Sequence, residues 1–113
     1  MSALTTTQPN ESTSVVTFAE QVLGGPEAVE LASELRNRVA QGCRTVVFDL
    51  GKVRIMNSSG LGMLVSSLTT LSKSEVALVL ADVPEKVMSL LDMTHLTSVF
   101  TISASVESAL DSK

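Results

Sequence analysis

The sequence predicts a single α/β domain, a small mixed or mostly parallel sheet of about four strands with about four helices. Three observations carry that expectation. Residues 45–50 and 76–80 are dominated by apolar and β-branched side chains, the pattern of strands covered on both faces. Between them Leu61, Leu64, Val65, Leu68 and Leu71 recur at three- and four-residue steps, so they share one face of a helix. A strand, helix, strand passage needs a crossover, and a crossover favours parallel pairing. The chain has 113 residues, 44% of them hydrophobic, enough for one core and too few for two domains.

The remaining elements follow from the N-terminus. Residues 1–14 are rich in Ser and Thr, carry Pro9 and show no apolar periodicity. They read as a mobile leader or at most a weak edge strand, with the domain running over 15–113. Val15, Val16 and Phe18 give the first strand signal, and residues 21–23 a second, short one before Gly24-Gly25 turns the chain. Pro26 opens a helix whose buried face is Ala28, Leu31, Ala32, Leu35 and Val39. Glu27 and Glu30 suit its positive end, Arg36 and Arg38 its negative end, and Gly42 its termination. Further on, Asp82 with Glu85 three residues later forms a capping-box pattern ahead of Val87, Leu90 and Leu91, in a helix ending near Asp92. A last strand is expected over 99–102, then a final helical turn or two through Val106, Ala109 and Leu110, capped by Ser103 or Ser105.

Composition removes several functions. The net charge is −4 and the eight basic residues are scattered singly, with no Trp or Tyr, so nothing neutralises a row of phosphates or stacks on bases. Nucleic acid is therefore not an expected partner. The apolar runs fall far short of the roughly 20 residues that cross a bilayer, and the first ten residues lack a basic, apolar signal. No membrane insertion and a cytoplasmic location are expected. Cys43 is the one cysteine; it excludes an internal disulfide, builds no zinc site alone, and reads as a small buried hydrophobe. Neither a metal nor a cofactor is expected.

The segment with the most chemistry is Asn57-Ser58-Ser59-Gly60-Leu61-Gly62, where an apolar pair, Ile55-Met56, leads into a helix. Asn57, Ser58 and Ser59 are all good N-cap types, each able to offer an oxygen to an unpaired first-turn N–H. If Asn57 or Ser59 caps, the Ser58 hydroxyl is left beside open backbone donors at the positive end of the helix, where a phosphate or a partner protein could be held. Gly60 and Gly62 each lower helix propensity by roughly 1 kcal/mol against Ala, so something is expected to approach that backbone closely, such as a partner. Ordinary capping explains the same residues equally well. Enzyme readings fare worse: Val65 stands where a dinucleotide fingerprint needs its third glycine. Ser58 as a nucleophile would need a base, and His95, the only histidine, has no orienting carboxylate among its neighbours Thr94 and Leu96. Asp49, a lone carboxylate at a strand end, reads as a turn former. No catalytic residue is expected.

With those residues laid out, the chain resembles the STAS domain family, whose best-known members are bacterial anti-sigma factor antagonists. The resemblance covers residues 15–110. It is sharpest at Asp49-Leu50, Ile55-Met56 and the stretch from Asn57 to Gly62, with Leu91-Asp92-Met93 also similar. It implies that Ser58 is the phosphate acceptor of a non-enzymatic partner-switching regulator of transcription. The implied partner is a serine kinase of the histidine-kinase-like ATPase type that doubles as an anti-sigma factor, with a serine phosphatase resetting the switch. The implied partner surface is Asn57, Ser58, Ser59, Gly60, Leu61, Gly62 and, on the uncharged helix face with Ser67 and Thr70, Ser66. Phosphorylation would add roughly −1.5 to −2 charges there and break a tight complex. Family members often carry Asp where this chain has Asn57. The alternative reading is a constitutive STAS accessory subunit that docks a transporter ATPase or another partner without phosphorylation.

Overall fold

A computed structural model describes residues 4–111 of the chain. Strand β1 (Leu4–Asn10) pairs antiparallel with β2 (Thr13–Phe18), and parallel strands β4 (Thr45–Asp49), β6 (Ala77–Ala81) and β7 (Thr101–Ser103) complete a five-stranded mixed sheet in the order β1-β2-β4-β6-β7. A separate parallel ribbon joins β3 (Gln21–Val22) to β5 (Ile55–Met56). The helices are α1 (Pro26–Ala40), α2 (Ser58–Lys73), α3 (Glu85–Met93) and α4 (Val106–Asp111). The expected α/β architecture is present, with one sheet strand more than expected and the ribbon besides.

Alternation along the central strands divides the interior into two clusters. Val16, Phe18, Val46, Phe48, Leu78 and Leu80 face α1, α2 and α3, meeting Leu31, Leu35, Leu64, Leu71 and Leu91 in the main core. Phe18 and Phe48 pack edge to face, with ring centroids 5.0 Å apart, a geometry that suits the aromatic quadrupoles. On the opposite face Val15, Val47 and Ala81 meet Ala109 of α4. The strand β4 is thus covered on both sides, as its unbroken apolar pattern requires.

Two expectations change and two open alternatives are resolved. Of the residues read as a mobile leader or at most a weak edge strand, those from Leu4 form the edge strand β1 and the start of β2; Met1, Ser2 and Ala3 lie outside the described residues. Pairing runs from Leu4 opposite Phe18 to Thr7 opposite Val15, and Leu4 is buried. Because β1 is an edge strand with mostly exposed side chains, it leaves no apolar period to read; its Pro9 falls where the register shifts between Thr7 and Asn10, the kind of irregularity at which an edge tolerates proline. Asp82 does not cap α3. It has a left-handed φ of 52°, and the N-cap is Pro84, without a side-chain hydrogen bond. Proline at 84 holds residue 83 out of the helical region, so the helix starts only at Glu85. The last strand begins at Thr101 rather than 99, because Val99 is drawn into a turn by the bond from its N–H to the Leu96 carbonyl. At α4 the cap falls to Ser105, whose Oγ accepts from Ser108 N at 3.0 Å, while Ser103 belongs to β7.

Helix α1 ends as expected: Gly42, at φ +93°, follows the C-cap Gln41 and donates its N–H to the Val39 carbonyl. Next to it Cys43 is buried, its Sγ 3.1 Å from the Thr45 carbonyl oxygen. Truncating Phe48→Ala should destabilise the domain by about 3–5 kcal/mol in urea denaturation, since Phe48 is wholly buried between sheet and helices. Val29→Ala, at a 73% exposed position, should stay within about 0.5 kcal/mol.

Candidate functional site

The ribbon β3–β5 delivers the chain to the N-terminus of α2. Arg54 N and Ile55 N both donate to the Glu20 carbonyl, at 2.7 and 3.0 Å, and Asn57 N reaches the Val22 carbonyl at 3.4 Å. Asn57 then takes the cap. Its backbone is extended (φ −103°, ψ −175°) and its Oδ1 accepts from Gly60 N at 2.8 Å, satisfying one first-turn donor. Its carbonyl accepts from Leu61 N at 2.9 Å, the first bond of the helix.

That assignment decides the fate of the two serines. Ser58 is the first helical residue, exposed, and among the described residues no group hydrogen-bonds its Oγ. Ser59 is also exposed, but its Cβ meets the neighbouring loop: a Cβ built on Gly24 would lie 2.9 Å from it. Gly24 has φ +84°, a conformation natural to glycine. The loop is fastened from α1, where Glu27 Oε1 accepts from Leu23 N at 3.0 Å and Gly24 N at 3.2 Å. Glu27 was expected only as a dipole-complementing charge; its carboxylate instead holds the loop that rests on Ser59.

The close approach expected at the two glycines is real for one of them and comes from within the chain. A Cβ at Gly60 would lie 2.0 Å from the Val22 carbonyl oxygen, so β3 occupies the space where a partner was expected. Gly62 faces open space, with nothing within 4 Å of a Cβ there. Of the surface the resemblance implied, Gly60 and Leu61 are buried, and Asn57, Ser58, Ser59, Gly62 and Ser66 are exposed. Ser67, placed with Ser66 on an outward face, turns inward and donates to the Met63 carbonyl at 2.8 Å. Between α1 and α2 a groove of about 360 Å³ opens past Gly25, Ala28, Gly62, Ser66 and Thr70. It carries no charged side chain.

The other candidates stand apart from this chemistry. His95 is exposed in a left-handed turn (φ 61°) after the C-cap of α3. Asp49 Oδ1 accepts from Gly51 N at 3.0 Å, closing a local turn. Among the described residues no group of three or more His, Cys, Asp or Glu side chains is placed to hold a metal ion, and no helix is long and apolar enough to cross a membrane.

The STAS domain family model matches residues 5–109, and the chain belongs to that family. Over 95 residues, 84% of this chain and 82% of the relative, it is 27% identical to a protein of Bordetella bronchiseptica named "putative anti-sigma factor antagonist BtrV". The fold is that of the anti-sigma factor antagonist SpoIIAA in its unphosphorylated form, with a TM-score of 0.81, 16% identity and coverage of 96% of this chain and 94% of the other. SpoIIAA of Bacillus in its phosphorylated form matches at a TM-score of 0.76, with 15% identity over 96% and 97% of the two chains. A sulfate transporter family protein of Wolinella succinogenes also shares the fold, at a TM-score of 0.71 and 11% identity over 88% and 82%.

The two glycines should separate experimentally. Gly60→Ala should destabilise by about 2–3 kcal/mol or force β3 aside, whereas Gly62→Ala should stabilise by about 0.5–1 kcal/mol through helix propensity alone. Asn57→Ala should lower stability by about 1 kcal/mol through loss of the cap. Chemical denaturation of the three variants in parallel checks all of these values.

Proposed function

We propose that this protein is a non-enzymatic partner-switching regulator, an anti-sigma factor antagonist controlled by phosphorylation of Ser58. One observation carries the reading: Asn57 performs the capping, so the Ser58 hydroxyl stands exposed at the N-terminus of α2 and, among the described residues, without a hydrogen-bond partner. Membership of the STAS family and likeness to relatives named as anti-sigma factor antagonists support it. The partner is an anti-sigma factor of the histidine-kinase-like ATPase type, which supplies ATP and catalysis; a serine phosphatase reverses the modification, and the exchange takes place in the cytoplasm. The docking surface is Asn57, Ser58, Ser59, Gly62 and Ser66, with Gly60 and Leu61 shaping it from beneath.

In the unmodified state this surface is uncharged, so a partner can cover it without desolvating an ion. A phosphoryl group on Ser58 changes that. Roughly −1.5 to −2 charges would need hydration or cationic partners at the centre of the contact, and a partner fitted to a hydroxyl supplies neither. The complex then dissociates while the domain stays folded.

A second reading is constitutive docking, for example onto a transporter ATPase, with Ser58 never modified. The fold's occurrence in a sulfate transporter family protein favours it. The two readings part in one experiment: incubation with the kinase encoded by the same organism and ATP, followed by mass spectrometry. Partner switching predicts phosphate on Ser58, none on the Ser58→Ala variant, and binding to the kinase weakened at least about tenfold by Ser58→Asp, a loss of about 1.4 kcal/mol. Phosphate elsewhere, or binding indifferent to Ser58→Asp, eliminates the switch.

A further inference from the structure

Next to the Ser58 turn along the chain, β5 and α3 line a second groove of about 340 Å³ to which α1 contributes no residue. Its apolar surface comes from Ile55 and Met56 on β5 and from Val87, Leu90 and Met93 on α3. Ile55 is 52% exposed and Met93 76% exposed, two of the five large hydrophobic side chains left in water among the described residues. On α3, Lys86, Leu90 and Met93 are spaced by four and three residues, so they form one stripe. Val87 and Leu91 are the buried residues of α3. The apolar arc of the helix therefore runs on from the buried Val87 and Leu91 through the half-buried Leu90, which also packs against the core, to the exposed Met93 that the core leaves uncovered.

The rim is cationic. Arg54 and Lys86 both line the groove and both are exposed, and among the described residues neither forms an ion pair; the pair found is Arg38 with Glu34. In a chain of net charge −4 with eight basic residues, two of them flank one apolar groove without a counter-ion. The acidic residues of α3 do not fill that role: Glu85 and Asp92 lie outside the lining, and Asp92 accepts the Thr97 hydroxyl. The apolar surface and the paired cations describe the complement of an acidic amphipathic segment.

The geometry points to this groove as the seat of an acidic amphipathic helix of a partner protein. Its apolar face lies on Ile55, Leu90 and Met93, and one or two carboxylates at its edge meet Arg54 and Lys86. A helix fits better than a strand, because β5 is two residues long and already paired with β3, leaving no ladder of useful length to extend. Methionines at 56 and 93 suit a surface that must adapt to the incoming side chains. Continuity through Met56 to Asn57 puts the seat next to the Ser58 turn, yet it does not depend on phosphorylation.

The test is a selection of displayed helical peptides against the full chain, followed by measurement of affinity and of amide chemical shifts with the winning peptides. The expected winners are acidic and amphipathic, with shifts at Ile55, Lys86, Leu90 and Met93. Their affinity should fall at least about tenfold in the Arg54→Glu/Lys86→Glu double variant and rise in low salt. Ser58→Ala should leave it unchanged, so failure here is distinguishable from failure of the phosphorylation reading. Recovery of no peptide, recovery of basic or uncharged peptides only, or shifts confined to the α1–α2 groove would each overturn the inference. So would concentration-dependent shifts at the same residues without peptide, which would assign the groove to a second copy of the chain.

Discussion

The contact on which the site depends is the one between Gly60 and the Val22 carbonyl. A built Cβ at 60 would stand 2.0 Å from that oxygen, far inside van der Waals contact, so only a residue without a side chain lets α2 start where it does. The same carbonyl receives Asn57 N–H. Ribbon and helix thus share one backbone oxygen, and the two-residue ribbon, too short to be stable by itself, is held by the helix it introduces. Both Arg54 N and Ile55 N bond the Glu20 carbonyl, fixing the chain one step earlier. The direction in which Ser58 leaves the surface is set by these backbone bonds rather than by any property of serine.

From that contact the constraint spreads to α1. Gly24 rests on Ser59, and the Glu27 carboxylate holds the two preceding amides of its own loop. Here a side chain in the first turn of one helix shapes the loop that abuts the first turn of another. The floor beneath both is the main core, where Leu31, Leu35 and Leu64 are essentially inaccessible to water. Interiors of that density transmit displacement rather than absorb it, so the exposed serines sit on a rigid platform.

How much of this could be read in the sequence depends on whether a feature leaves a pattern. Helices α1 and α2 bury continuous stripes against a sheet, and strands β4 and β6 are covered on their apolar faces, so all four were legible. Strand β1 was legible only as a weak edge strand or a leader, because an edge strand exposes most of its side chains and is held by backbone bonds, which have no residue signature. The start of α3 was misplaced for a different reason: Asp82 and Glu85 match a capping box, but Pro84 between them sets the boundary through sterics. At the site Gly60 correctly announced a close approach, whereas Gly62 faces open space. Identifying what approached Gly60 required the fold, since Val22 lies 38 residues earlier (60 minus 22) in an element of two residues. The apolar face of β5 and α3 was invisible in the same way, with Ile55 and Met93 on separate elements.

The cap residue also shapes what a phosphate on Ser58 would do to the domain itself. Aspartate at the cap would place a negative charge at the positive end of α2 and beside the incoming phosphoryl group, partly neutralising the helix dipole while repelling the modification. Asn57 makes the same hydrogen bond to Gly60 N–H and carries no charge. The dipole is therefore left open to the phosphate, and a dianion on the first helical residue would strengthen α2 by up to about 1 kcal/mol instead of disturbing it. A phosphate on Ser58 would thus be favoured by the local field, and nothing in the turn would drive a partner off. Under the proposed switch, discharge would have to come from the desolvation of the phosphate at the contact, and with a neutral cap the energy of such a switch would reside in the interface rather than in the fold.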